Sequence, residues 1–226
     1  MRVTRDGDES VPIAGPGGAV VLDFDGTITE EDMLDLVCRE FGDPEVYAEV
    51  DAALERGEIQ LVDDIERKLV TVRRPQPEVI EWVRRRARIR PGLDDLLEAA
   101  EHAERRVVIV TSSVRELVEP VLGHRAARVE LVAGSIEPGW RASLAQLVPC
   151  DACGEPCKRG AVAALGTDDW AYVGDGWSDR CVARVAPRVF ARDGLARYLD
   201  ELGVASEPFA DLHDVANGIA AERVAA

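Results

Sequence analysis

Asp23-Phe24-Asp25-Gly26-Thr27 places two carboxylates one residue apart, at the end of the apolar run Ala19-Val20-Val21-Leu22. Side chains on a strand alternate between faces, so both acids serve one site only if the chain turns as it leaves the strand, and Gly26 permits that turn. Two close carboxylates repel and resist ionising together, and a divalent cation beside them relieves the repulsion. The pattern points to a nucleophile or an acid/base pair working with a metal. Three further pieces follow in order: Thr111 at the end of Val107-Val108-Ile109-Val110; Lys158, opening a helix expected over 158–165; and Gly174-Asp175-Gly176-Trp177-Ser178-Asp179 after Ala171-Tyr172-Val173. Asp-x-Asp-Gly and Gly-Asp-Gly each occur in plain turns. An ordered set of four, each at a strand end or a helix start, is far more specific.

The elements that position these residues are legible as alternating periodicities. Short apolar runs at 19–23, 106–111, 170–174 and 188–191 read as strands. Segments 114–122, 178–186 and 195–202 follow the later three with helical spacing. Strands alternating with helices imply an α/β fold, a Rossmann-like parallel sheet with helices on both faces. Active sites of such sheets lie at the carboxyl ends of strands, where Asp23, Thr111 and Asp175 stand. Residues 30–90 break the rhythm, with helical patterns at 31–41, 44–56, 60–72 and 77–88 and no convincing strand. The expected organisation is a flexible lead-in over 1–18, a core domain of 19–29 and 91–226, and an inserted all-helical cap domain over 30–90. Within the core, 129–133 and 136–142 read as two strands joined at Gly134-Ser135.

Composition narrows the partners. The chain has 226 residues and a formal net charge of −16, a surface that repels nucleic acid and anionic membranes. An anionic substrate therefore needs a locally basic site. The three histidines show no metal-protease spacing. No apolar run approaches a membrane span of roughly 18 residues, and the polar N-terminus lacks a signal-peptide core, so a cytoplasmic setting with reduced thiols is expected.

The ordered set Asp23-x-Asp25-Gly26-Thr27, Thr111, Lys158 and Gly174-Asp175 to Asp179 resembles the haloacid dehalogenase superfamily, and the helical block after the first motif resembles its phosphoserine phosphatase subgroup. The resemblance implies a phosphatase of small phosphorylated metabolites, with Asp23 as nucleophile and Asp25 as general acid and base. It implies that Thr111 and Lys158 bind the phosphoryl group, supported by Ser112, Gly26, Gly174 and Gly176. Mg²⁺ would be held by Asp23, the Asp25 backbone carbonyl and Asp175. Asp179 would hold a metal-bound water or orient Lys158, and Thr27 would position the nucleophile loop. Dehalogenases of the superfamily generally lack the second acid, so Asp25 favours phosphate over carbon–halogen chemistry. A phosphotransferase, or a non-catalytic binder of a phosphorylated ligand, would use the same fold.

In the cap, Asp32 and Arg67 match positions that touch the substrate's polar head in that subgroup. Arg67 lies in a basic stretch with Lys68, Arg73, Arg74, Arg84, Arg85, Arg86, Arg88 and Arg90, most of which read as a solvated face paired with Glu66, Glu78 and Glu81. Trp177 is expected beside the site and Trp82 in the cap interior. Cys150-x-x-Cys153-x-x-x-Cys157 precedes Lys158 directly. Three thiols suit zinc only with a fourth ligand, and none is evident at a matching spacing, so a reduced or redox-sensitive cluster is the favoured alternative. The cysteine-rich run, followed by Phe190-Ala191-Arg192-Asp193, resembles a narrower branch. That branch includes 2-hydroxy-3-keto-5-methylthiopentenyl-1-phosphate phosphatases and phosphoethanolamine/phosphocholine phosphatases.

Overall fold

β1 (Ala19–Leu22) has no exposed surface on any of its four residues, because both faces of the sheet it centres are covered. Val20 and Leu22 join one core cluster and Ala19 and Val21 the other, as the two-residue period of a strand requires. The computed structural model describes residues 18–225, so the expected lead-in lies, except for Gly18, outside the described residues.

In chain order β1 is followed by α1 (Met33–Phe41), α2 (Pro44–Glu55), α3 (Leu61–Leu69), α4 (Gln76–Arg86) and α5 (Leu93–His102). Then come β2 (Arg106–Val114), α6 (Arg115–Leu122), β3 (Glu130–Glu137), β4 (Arg141–Ser143), β5 (Val148–Pro149), β6 (Pro156–Cys157) and α7 (Lys158–Ala163). The chain closes with β7 (Trp170–Gly174), α8 (Arg180–Ala183), β8 (Arg188–Ala191), α9 (Asp193–Glu201), β9 (Glu207–Pro208) and α10 (Leu212–Ala225). Seven strands form one sheet in the order β4-β3-β2-β1-β7-β8-β9, parallel except for β4. The α/β architecture with helices on both faces is thus the one expected.

One strand boundary differs. Residues 130–137 form a single strand, and the reversal falls at Pro138-Gly139-Trp140 rather than at Gly134-Ser135. Gly134 is needed inside the strand, since a Cβ there would stand 2.6 Å from the Leu144 side chain and 2.8 Å from the Ser143 carbonyl. A close approach, not a turn, explains this glycine.

The helices between β1 and β2 leave and rejoin the sheet through a narrow neck. Thr29 and Ile89 form an isolated antiparallel bridge, flanked by bonds from Glu30 N–H to the Arg88 carbonyl (2.9 Å) and Arg90 N–H to the Ile28 carbonyl (2.8 Å). Arg90 is buried and donates to the carbonyls of Thr27 (3.0 Å), Gly26 (2.7 Å) and Thr29 (3.4 Å). It therefore ties the neck to the loop carrying Asp25. Beyond the neck, α1, α3 and α4 share an apolar cluster with Leu117 of α6 and with Trp140, Leu144 and Leu147 around β4. Trp82 packs edge-to-face on Phe41 at 5.1 Å, as expected for a helical interior. Trp140 is buried in the same cluster and donates to the Arg74 carbonyl.

Candidate active site

The candidate catalytic side chains converge at the carboxyl end of the sheet because three strands stop side by side. Leu22 of β1 pairs with Ile109 of β2 and Val173 of β7, so the loops after all three strands meet. β2 changes register between Val110 and Val114, and Thr111-Ser112-Ser113 bulge there toward a cavity of about 260 Å³. Asp23, Asp25, Asp175 and the three hydroxyl residues line it.

Asp23 accepts the Phe24 N–H at 2.7 Å and pairs with Lys158 Nζ at 2.6 Å, both through Oδ1. Oδ2 is left for an incoming electrophile or cation. Burial pushes the Asp23 carboxyl well above the usual carboxylate range; Asp179 adds to the rise, Lys158 opposes it, and Asp175 adds again. Asp25 accepts the Met33 N–H at 2.7 Å and is likewise raised, by burial and then by Asp32 and Asp23. The two acids differ in their partners: a buried ammonium touches Asp23 and a backbone amide touches Asp25.

Lys158 opens α7 and is 1% exposed. Burial alone would lower its ammonium, but Asp179 and Asp23 outweigh that and hold it above its ordinary value. Asp179 is fully buried and saturated with donors: Lys158 Nζ (2.7 Å), Tyr172 Oη (2.6 Å) and the N–H groups of Asp175 and Gly176 (3.0 Å each). Its geometry is that of a residue that orients Lys158 and the Asp175 loop. Thr27 donates to Asp175 Oδ1 at 2.6 Å. Asp175 is raised to about 6, by burial and then Asp179, against that hydrogen bond. Gly26 adopts a φ of +79°, and a Cβ there would lie 2.4 Å from Asp175 Oδ2, so glycine lets the two loops touch. Gly174 ends β7 beside them.

The oxygens of Asp23, Asp175 and Asp179 lie within 4.8 Å of one another, an all-oxygen set suited to a hard divalent cation such as Mg²⁺. Thr111 Oγ1 accepts the Ser113 N–H at 3.0 Å, and among the described residues the buried hydroxyl oxygen of Ser112 has no hydrogen-bond partner. The Thr111 and Ser112 hydroxyls remain able to donate to phosphoryl oxygens at the cavity wall.

The helical side of the cavity differs from expectation at one position. Asp32 caps α1, accepting the Asp35 N–H at 2.8 Å, and lines the cavity. It stands at the mouth, open to water yet ringed by protein, and that surrounding raises its carboxyl to about 6. Arg67 is not brought to the cavity: it faces outward, pairs with Glu49 at 3.1 Å and lines a separate surface groove. Lys68 takes its place, held by Asp64 (2.7 Å) and Asp51 (3.0 Å) and standing over the Tyr47 ring at 4.3 Å. The spacing signals it, since Leu61, Asp64, Ile65 and Lys68 line the cavity at i, i+3, i+4 and i+7 of α3. Other arginines of the basic stretch pair outside the cavity, Arg74 with Glu78, Arg84 and Arg85 with Glu81, and Arg86 with Glu31. Trp177 is 64% exposed at the cavity rim. Tyr172, which anchors Asp179, was hidden from sequence reasoning inside an apolar strand.

The fold agrees with comparison to known proteins. A sequence model of the haloacid dehalogenase-like hydrolases matches residues 20–184, and the chain belongs to that family. It is a hydrolase of the phosphatase type. A 2-hydroxy-3-keto-5-methylthiopentenyl-1-phosphate phosphatase from Exiguobacterium sibiricum is 28% identical over 206 residues, covering 87% of this chain and 93% of the relative. The protein of that name from Geobacillus kaustophilus is 29% identical over 217 residues, with the same coverages of 87% and 93%. Among solved structures, a phosphoserine phosphatase from T. onnurineus shares the fold with a TM-score of 0.64 at 17% identity, covering 95% of this chain and 98% of that one. Among the described residues no helix is long and apolar enough to cross a membrane.

Proposed function

We propose that the chain is a Mg²⁺-dependent phosphomonoesterase that hydrolyses a small phosphorylated metabolite through an aspartyl-phosphate on Asp23, beneath a cap formed by residues 30–90. The observation that carries this reading is the pairing of buried Asp23 with Lys158, with Asp25 and Asp175 on the same cavity wall. Asp23 attacks phosphorus while Asp25 gives its proton to the leaving oxygen, so the ester P–O bond breaks and the alcohol departs. Asp25, now a carboxylate, takes a proton from the water that attacks the acyl-phosphate, releasing phosphate and restoring Asp23. Burial raises both acids, but Asp23 alone has a cation against it, Lys158, that favours its anion, whereas Asp32 and Asp23 add to the rise at Asp25. Lys158 and the Thr111 and Ser112 hydroxyls are placed to balance charge on the phosphoryl oxygens.

Asp23, the Asp25 backbone carbonyl and Asp175 would hold Mg²⁺, which when bound neutralises phosphoryl charge. EDTA is expected to abolish turnover of p-nitrophenyl phosphate and Mg²⁺ to restore it. Asp23 must be ionised to attack, and its raised pKa moves the acid limb of the rate profile upward. A nearby cation favours the carboxylate, so the acid limb of kcat/KM should lie at lower pH with saturating Mg²⁺ than with limiting Mg²⁺. EDTA-insensitive turnover would remove the metal from the reading.

The cap side of the cavity indicates the kind of leaving group. Asp32, Asp35, Asp51 and Asp64 outnumber Lys68, and Leu34, Leu54, Leu61 and Ile65 supply apolar wall. Among the described residues no arginine lines the cavity to receive a carboxylate. Like-charge contact costs several kcal/mol. The methylthio leaving group of the relatives' named substrate carries no charge, so that ester is expected to exceed a phosphomonoester whose leaving group carries a carboxylate and no ammonium, such as 3-phosphoglycerate, in kcat/KM by on the order of 10²-fold. Equal rates on the two substrates would refute this account of the cavity.

A further inference from the structure

The thiols beside Lys158 do not stand as a group of three. Cys181, on α8, brings its sulfur to those of Cys150, Cys153 and Cys157, and all four lie within 4.8 Å of one another. Tetrahedral zinc with Zn–S bonds of about 2.3 Å sets its sulfurs about 3.8 Å apart. Cys150 Sγ and Cys181 Sγ are 3.7 Å apart, and all four are free thiols.

Backbone geometry completes the picture. Cys150 to Glu155 form a tight loop between β5 and β6, closed by bonds from Gly154 N–H to the Cys150 carbonyl (2.7 Å) and Cys150 N–H to the Glu155 carbonyl (3.1 Å).

This loop has no apolar core of its own. Residues 151–154 are exposed, and the hairpin is two residues on each strand. A two-stranded hairpin of that size is not stable alone in water. Yet it must fix Lys158, the residue after Cys157, against Asp179, two residues before Cys181. Small units without a core are held by disulfides or a structural metal.

We propose that Cys150, Cys153, Cys157 and Cys181 form a closed tetrathiolate site for a structural Zn²⁺ ion, which clamps the β5–β6 loop to α8 and so holds both ends of the Lys158–Asp179 ion pair. Four protein ligands leave no open position for substrate, which makes the site structural rather than catalytic. Its soft sulfur donors separate it from the all-oxygen set at Asp23 and Asp175. Arg180 and Arg184 line the same hollow and offset the net negative charge of a zinc tetrathiolate.

The full chain, purified under reductant without added chelator, is expected to carry about one zinc per chain by mass spectrometry of metals. Cobalt exchanged into the wild-type protein should give the sulfur-to-metal charge-transfer absorption of thiolate ligation. Cys153→Ser and Cys181→Ser should each lose most of the bound zinc. The measurement reads metal content, so it stands or falls independently of phosphatase activity. Cys181→Ser retaining full zinc, iron in place of zinc in the isolated protein, or wild-type protein that stays free of metal in excess zinc with all four thiols open to Ellman's reagent would each overturn the proposal. The cobalt spectrum keeps the test decisive if the serine variants fail to fold.

Discussion

Asp23→Asn is expected to lower turnover by at least about 10⁴-fold, the scale seen when a covalent nucleophile is removed. The amide keeps the size of the acid and keeps an oxygen to accept the Phe24 N–H. What it loses is the anion that attacks phosphorus. Stability should move differently from activity. Burial raises the folded-state pKa of Asp23 above its unfolded value. Such a group contributes stability below its unfolded pKa and loses that contribution as pH rises through the folded one. At neutral pH the carboxylate is therefore a burden, and Asp23→Asn should melt no lower than the parent. A thermal melt beside a phosphate-release assay checks both halves. Wild-type turnover in this variant would end the assignment of Asp23 as nucleophile.

Lys158→Ala carries the second large effect, on stability as well as rate. The ammonium sits 2.6 Å from Asp23 and 2.7 Å from Asp179, with 1% of its side chain exposed. Removing it strands two buried carboxylates, and breaking a buried pair in this way costs about 3–5 kcal/mol. Losing a positioned charge at the phosphoryl group should cost a further 10²- to 10³-fold, roughly, in kcat. The network predicts non-additivity: adding Asp179→Asn to Lys158→Ala removes one stranded charge and should recover part of the lost stability. Denaturant melts of the two single variants and the double variant measure this. Strictly additive losses would mean that Lys158 and Asp179 are not energetically coupled.

The candidate catalytic residues could be grouped from sequence because each part of their wall is local. A run such as Val107-Val108-Ile109-Val110 must be a buried strand, and the polar residues that follow must sit at its end. Three such ends then meet by sheet pairing alone. The helical side of the cavity was harder because its choice turns on helical phase. Arg67 and Lys68 are adjacent in sequence but about 100° apart around α3, and only the second shares a face with Leu61, Asp64 and Ile65. Gly134 misled in a related way, since a glycine demanded by the close approach of Leu144 looks in sequence like a turn. Cys181 could not be paired with Cys150-x-x-Cys153 by spacing, because it reaches them only where α8 packs beside α7 on one face of the sheet. Tyr172 gives no signal, since its hydroxyl meets Asp179 only after β7 is placed.

The central claim is that phosphate passes through Asp23. Asp25→Asn lacks both the acid for the leaving oxygen and the base that activates water, so with a leaving group that departs without a proton, phosphoenzyme should still form and then accumulate rather than clear. The most direct test is to quench this variant after mixing with p-nitrophenyl phosphate, reduce the acyl-phosphate with borohydride, and locate the altered residue by peptide mass spectrometry. The account predicts modification at Asp23 alone, increasing with time after mixing. Modification at another residue, or phosphate release by Asp25→Asn with no phosphoenzyme at any time, would contradict it.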